Sequence, residues 1–133
     1  MNTATLAAPV GRNRFLRRIL AVDAATCIAT GALLAIAADP LAPMLGLSVT
    51  LLKYAAISLF PIAAFMVWVA ARAPIPLAGA WLVIIGNVGW VIGSAFVLLA
   101  SSPTLLGYAF VIAQAVAVAA LAELEFHGLR RGT

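Results

Sequence analysis

The fold is decided by residues 78–100, AGAWLVIIGNVGWVIGSAFVLLA, which contain no charged side chain. A helix of about 20 apolar residues crosses the roughly 30 Å hydrocarbon core of a membrane. Three further apolar stretches of similar length occur at about residues 18–38, 51–71 and 104–124. None alternates with a period of two as barrel strands do, so the sequence predicts an all-α fold of four transmembrane helices.

The composition of the whole chain supports this interpretation. Of its 133 residues, 65% are hydrophobic and only 9% are charged, and the mean hydropathy is +1.16. Soluble domains carry charge on roughly a quarter of their residues. We therefore expect a single transmembrane domain over residues 1–133, with the lipid bilayer as its main partner and residues 1–11 as a flexible tail.

The positive charges lie almost entirely on one side of this predicted topology. Seven of the eight basic residues flank the same ends of the spans: Arg12, Arg14, Arg17, Arg18, Arg72, Arg130 and Arg131. Only Lys53 falls on the other side. The positive-inside rule then predicts an up-down-up-down bundle with both termini cytoplasmic in a bacterial inner membrane. It also explains the sequence pI of about 10.3 without any nucleic-acid partner.

The N-terminal region has a second interpretation. Arginines, an apolar run and the small residues 35–38 before Asp39 also resemble a signal peptide with a cleavage site. The apolar run is long for such a peptide and contains Asp23. We expect it to be the first span, and cleavage stays the alternative.

Turn residues separate the predicted spans. Asp39 and Pro40 predict the start of a short interfacial helix over residues 41–45, and Gly46 predicts its end. Ser48 or Thr50 can cap the second span. The third and fourth spans are joined by residues 101–103, so short a connection that they must form an antiparallel hairpin, with Ser102 as the expected cap of the fourth.

Polar side chains inside a membrane are costly and are the natural candidates for function. The intramembrane candidates are Asp23, Thr30, Asn87, Ser94 and Gln114. We expect Asp23 to form an ion pair with Arg72, which shares its depth, and a proton or cation site is the alternative for this acid. We expect Asn87 to bond Gln114 across the hairpin. The alternative for the amide pair is that it lines a small polar cavity for a solute.

A strip of small residues runs along the third span. Gly86, Gly89 and Gly93 lie on one helical face. Glycines let two membrane helices approach closely. The expected partner is the face of the fourth span that carries Ala113 and Ala117.

No residue pattern indicates an enzyme, a cofactor or a metal site. The single cysteine, Cys27, forms no redox or metal pair and is interpreted as a small filler. Glu123 and His127 have a metal-compatible spacing, but the chain has no second histidine. We interpret them, with Glu125, as an exposed helix end whose charge is balanced by the tail arginines.

Three segments together resemble an uncharacterised family of small four-helix bacterial integral membrane proteins. They are residues 15–20 (FLRRIL) with Asp23, residues 87–94 (NVGWVIGS) and residues 122–131 (AELEFHGLRR). The resemblance covers roughly residues 12–131. It implies architecture and location only, because it carries no activity or site residues.

From the sequence we expect a structural or accessory subunit of a membrane complex, associating with other membrane proteins or with itself. The alternative is a transporter of a small solute or ion that acts as an oligomer, since four helices enclose little space for a pathway. What separates the two is whether the intramembrane polar residues converge on a cavity or are each packed and paired.

Overall fold

A computed structural model describes the backbone of residues 3–131 and the side chains of residues 14–130. Over this part of the chain it is an all-helical protein of four helices. They are α1 (Thr3–Leu45), α2 (Val49–Ala71), α3 (Leu77–Ala100) and α4 (Leu105–Arg131). Helix α1 thus begins within segment 1–11, and the flexibility of that segment stays a prediction.

All four helices are long and apolar enough to cross a membrane, as predicted. The apolar spans are Arg14–Leu45, Val49–Ala71, Leu77–Ala100 and Leu105–Arg130. Large apolar side chains such as Ile36, Leu99 and Leu105 are exposed on the outside of the bundle. This surface is compatible with a transmembrane bundle in contact with lipid. The first and fourth spans extend beyond the predicted 18–38 and 104–124.

The turn between α1 and α2 follows the sequence prediction closely. Gly46 has a φ of +68°, a left-handed conformation that glycine adopts without a steric cost and that ends α1. The Oγ of Ser48 accepts a hydrogen bond from the backbone N–H of Leu51 at 3.0 Å and caps α2. The predicted short helix before Gly46 is present, but the break in α1 falls at Ala37 and not at Asp39.

The start of α4 differs from the prediction, because Thr104 and not Ser102 supplies the cap. Its Oγ1 accepts a hydrogen bond from the backbone N–H of Gly107 at 3.1 Å and donates one to the carbonyl of Met44 at 2.7 Å. The N–H of Thr104 also bonds the carbonyl of Leu45 at 3.1 Å. The first turn of α4 is therefore fastened to the last turn of α1.

The four helices form an incomplete ring. Helix α1 packs along both α2 and α4, α4 packs along α3, and α2 barely touches α3. Gly128 near the end of α4 lies against Phe15 and Leu16 near the start of α1, so these helices are antiparallel. The up-down-up-down arrangement is thus confirmed, and a gap between α2 and α3 runs along the bundle. We call the end that carries Arg14, Arg17, Arg18, Arg72 and Arg130 the basic end.

The glycine strip of α3 does not pack as predicted. A Cβ atom added at Gly86, Gly89 or Gly93 would meet nothing within 4 Å. Ala113 and Ala117 of α4 are exposed as well. The hairpin does bring α3 and α4 together, but through another face of α3, and the strip is turned towards the gap beside α2.

At the basic end, Arg17 of α1 joins the end of α2. Its Nη2 donates a hydrogen bond to the carbonyl of Arg72 at 2.8 Å, and its Nε donates one to the carbonyl of Ala70. Carbonyls at a helix C-terminus lack partners within the helix, and a cation there is favourable. Arg17 thus satisfies two of the carbonyls at the end of α2.

Replacing Arg17 with alanine should lower the free energy of unfolding by about 1–2 kcal/mol, the contribution of charge-assisted hydrogen bonds. Unfolding in mixed detergent micelles would measure it. The matched control is Arg18→Ala, because Arg18 is exposed on the same turn. Equal losses from the two substitutions would assign the effect of Arg17 to its charge alone.

Candidate functional site

Three helices meet at a buried group of polar side chains near the basic end. Asp23 of α1, Asn87 of α3 and Glu125 of α4 are 1%, 6% and 0% exposed. We call these three residues the acid cluster. It lies within an apolar core that includes Leu20, Met66 and Leu129. In the described part of the chain, the side-chain hydrogen bonds of the cluster therefore join only its own members and Cys27.

The amide of Asn87 holds the acid cluster together. Its Nδ2 donates one hydrogen to Asp23 Oδ2 at 2.7 Å and the other to Glu125 Oε1 at 2.8 Å. Both partners are carboxyl oxygens, which accept hydrogen bonds, so the amide turns its NH2 group towards them. The carbonyl Oδ1 of Asn87 is left as an acceptor.

The carboxyl groups use their remaining oxygens differently. Asp23 Oδ1 is 3.9 Å from the Sγ of Cys27, a weak S–H contact along α1. Glu125 Oε2 is buried and has no hydrogen-bond partner among the described residues. Buried polar atoms are nearly always paired, so this oxygen marks a place for a proton or a ligand.

The predicted partners of Asp23 and Asn87 are therefore wrong. Asp23 does not pair with Arg72, whose guanidinium lies over the Trp68 ring at 5.1 Å while its carbonyl accepts from Arg17. Lys53 and Asp39 instead form an ion pair at 3.8 Å, on exposed side chains at the other end. Asp23 is buried inside the bundle, whereas Arg72 is exposed at the end of α2.

Gln114 belongs to a second polar group and does not bond Asn87. Its Oε1 accepts from Trp90 Nε1 at 2.8 Å, and its Nε2 donates to Ser94 Oγ at 2.8 Å and to the Val111 carbonyl at 2.9 Å. Ser94 in turn donates to the Trp90 carbonyl at 2.8 Å. These bonds satisfy every member, so this group fixes the register of α3 against α4.

Glu125 is the site residue that the sequence interpretation missed. The sequence predicts an exposed helix end for Glu123, Glu125 and His127. Glu123 and His127 are exposed, whereas Glu125 is fully buried. A signal was available in the spacing of Ala122, Glu125 and Leu129, which places them on one face of α4. All three are buried.

Two cavities lie along the gap between α2 and α3, and Trp90 lines both of them. The one nearer the basic end, which we call the acid cavity, has a volume of about 410 Å³ and is lined by Cys27, Phe65, Met66, Gly86, Asn87 and Trp90 among others. The other, of about 390 Å³, is lined by Thr30, Gly89, Gly93, Ser94 and Gln114 among others. Of the five polar residues predicted from the sequence, Asn87 lines the first cavity and Thr30, Ser94 and Gln114 line the second, whereas Asp23 lies behind Asn87 and lines neither.

The acid cluster reaches the acid cavity through Asn87 alone. Asn87 lines the cavity directly, and the two carboxyl groups lie immediately behind its amide. Phe65 and Trp90 contribute aromatic rings to the same space. Within residues 14–130, no three His, Cys, Asp or Glu side chains converge in a geometry that would hold a metal ion.

No protein family, curated protein or solved structure gives a match to this chain.

Proposed function

We propose that the protein is a transporter that exchanges protons for a small solute or ion across the bacterial cytoplasmic membrane. The observation that carries the proposal is the acid cluster, two carboxyl groups buried between three helices and bridged by one amide. Carboxyl groups inside a membrane bundle are expensive and occur where protons or ions are handled.

Electrostatic repulsion makes the cluster a proton site. The oxygens of Asp23 and Glu125 that accept from Asn87 both contact one nitrogen, so they lie within about 5.5 Å of each other. Two negative charges at that distance repel by about 3 kcal/mol even at an effective dielectric constant of about 20. A shared proton removes this repulsion, and the unpaired Glu125 Oε2 is an atom that can carry it.

A solute entering the acid cavity would contact the same amide that bridges the carboxyl groups. Binding there can displace or require the proton, which is the coupling that exchange needs. Since the gap opens sideways between α2 and α3, a solute could reach the cavity from the membrane. Four helices enclose little space for a full pathway, so transport requires two or more copies.

The placement in the membrane follows from charge. The basic end carries the arginines that the positive-inside rule assigns to the cytoplasm, so both termini are proposed to be cytoplasmic. The acid cluster would then lie nearer the cytoplasmic surface than the opposite one.

A proton-gradient assay tests the proposed function. Proteoliposomes with a trapped pH dye would receive neutral, cationic and anionic solutes in turn. We expect one class to discharge the gradient at least about a hundredfold faster through the wild-type protein than through Asp23→Asn or Glu125→Gln, the lower end of the effect of a positioned proton-transfer group.

Asp39→Asn is the matched control for that assay, because Asp39 is an exposed acid of the same helix outside the cluster. It should keep the wild-type rate. If no solute class discharges the gradient, or if the cluster variants match wild type, the transport proposal is wrong.

An accessory or structural subunit is the second candidate. The observation in its favour is the exposed strip of Gly86, Gly89 and Gly93, a surface of the kind on which another membrane helix can dock closely. Affinity capture from native membranes followed by mass spectrometry would test it. A stoichiometric partner released by Gly89→Leu would favour this function over transport.

A further inference from the structure

We propose that the acid cavity binds an organic monocation, with the rings of Phe65 and Trp90 around the charge and Asp23 and Glu125 behind Asn87 as its counter-charge. This inference rests on the proposed function, because it names the class of solute exchanged for the proton.

Charge complementarity selects a cation. The two carboxyl groups lie directly behind the amide of Asn87, and none of the described side chains that line the cavity is basic. An anion in this space would be repelled by the two acids behind Asn87, whereas a cation would be attracted to them. In a low-dielectric interior the attraction from the acids reaches past the first layer of atoms.

The remaining lining selects an organic ion over a hydrated one. Apart from Asn87 and Cys27 the walls are apolar or aromatic, with Pro61, Ile62, Met66 and Leu82 beside the two aromatic residues. Aromatic faces attract cations within about 6 Å of the ring centroid, most strongly when water is absent. Such walls suit a cation that carries its own hydrocarbon, and a volume of about 410 Å³ is within the range of small-molecule sites.

The test uses two ions of nearly identical shape and opposite charge, tetraphenylphosphonium and tetraphenylborate. Equilibrium binding to the full-length protein in nanodiscs would be compared with empty nanodiscs. We expect saturable binding of tetraphenylphosphonium, at least about tenfold tighter than that of tetraphenylborate, a ratio worth about 1.4 kcal/mol. The double variant Asp23→Asn, Glu125→Gln should lose this preference.

Acidification should weaken the binding of tetraphenylphosphonium, since protonated acids no longer supply the counter-charge. Among the described residues, the titratable groups facing the two acids are each other and Cys27. Helix α3 contributes no titratable group there, only the amide of Asn87. The titratable Lys53 and Tyr54 of α2 lie towards the opposite end of that helix. Glu123 and His127 of α4 are exposed. Arg17 is bonded to carbonyls of α2.

A second pair of variants leaves the acid cluster intact. Gly86 lines the acid cavity and Gly93 the other one, and both have open space where a side chain would stand. Gly86→Leu should therefore abolish binding of tetraphenylphosphonium, whereas Gly93→Leu should preserve it. Both substitutions replace glycine with leucine within α3, so they favour helix formation to the same extent.

Two binding results would overturn the inference: equal binding of the two ions, or binding of tetraphenylphosphonium that Gly86→Leu leaves unchanged. A third would be a cavity filled by a second copy of the chain. It would be seen as crosslinking through Gly86→Cys with no ion bound. If the phosphonium binds as expected but no solute discharges a proton gradient, the cation site stands and the transport function fails. If a neutral solute discharges the gradient and the phosphonium does not bind, the transport function stands and this inference fails.

Discussion

Replacing Gly107 with alanine is expected to destabilise the bundle by about 3 kcal/mol or more, at the upper end of overpacking effects. The added Cβ would overlap the carbonyl oxygen of Leu45 and lie 2.9 Å from its carbonyl carbon. Both are backbone atoms, so no rotamer change can relieve the overlap. The same turn of α4 carries the hydrogen bonds of Thr104 to α1, and these would separate together with it.

The control is Gly93→Ala in α3, where an added Cβ meets nothing within 4 Å. Helix propensity alone should make that variant more stable by roughly 0.5–1 kcal/mol. Unfolding of both variants in mixed detergent micelles, followed by circular dichroism, would give the two values. Similar effects at Gly107 and Gly93 would mean that α1 and α4 are not in close contact at this turn.

The sequence was sufficient for the class of fold. Four apolar runs separated by turn residues determine four helices, because a membrane leaves the backbone few other ways to satisfy its hydrogen bonds. The predicted stop at Gly46 is confirmed, and of the two predicted caps, Ser48 and Thr50, the structure uses Ser48. Both predictions rest on local chemistry, since a left-handed residue and a capping hydroxyl act on their own neighbours. The predicted fourth span ends too early, at residue 124 and not at Arg130, because Glu123 and Glu125 lower the local hydropathy.

The partners of the polar residues could not be predicted in the same way. The helical period puts Asn87 and Ser94, seven residues apart, on one face of α3, and both are buried. It does not say which neighbouring helix that face meets. Asn87 reaches α1 and α4 at once, a contact that depends on how three helices are rotated about their axes.

The predicted packing of the glycine strip against α4 is wrong for a related reason. The short connection 101–103 does force α3 and α4 together, but several faces of α3 could have met α4. Trp90, Ser94 and Gln114 form the hydrogen-bonded contact that decides the rotation, since unpaired polar groups in an apolar bundle cost more than the close packing of glycines gains. The strip is then left beside the gap.

Replacing Asn87 with leucine is expected to lower the free energy of unfolding by about 3–5 kcal/mol near neutral pH, the cost of leaving a buried charge without its partner. Both carboxyl groups lose their common donor, and they face each other across an apolar space. The loss should shrink as the pH falls, because a protonated carboxyl can donate to the other and replace the missing N–H. Detergent unfolding measured across a pH series would reveal this dependence.

Two further variants separate this effect from simple loss of packing. Adding Glu125→Gln to Asn87→Leu removes one charge and supplies an amide donor to Asp23, so it should recover more than half of the stability. Gln114→Leu removes an amide from the neutral group of Trp90 and Ser94 and should cost only about 1–2 kcal/mol, the same at every pH. If the leucine variants at Asn87 and Gln114 are equally unstable and neither responds to pH, the carboxyl groups do not share a proton. The acid cluster would then be a fixed structural element, and the proposed proton exchange would have no site.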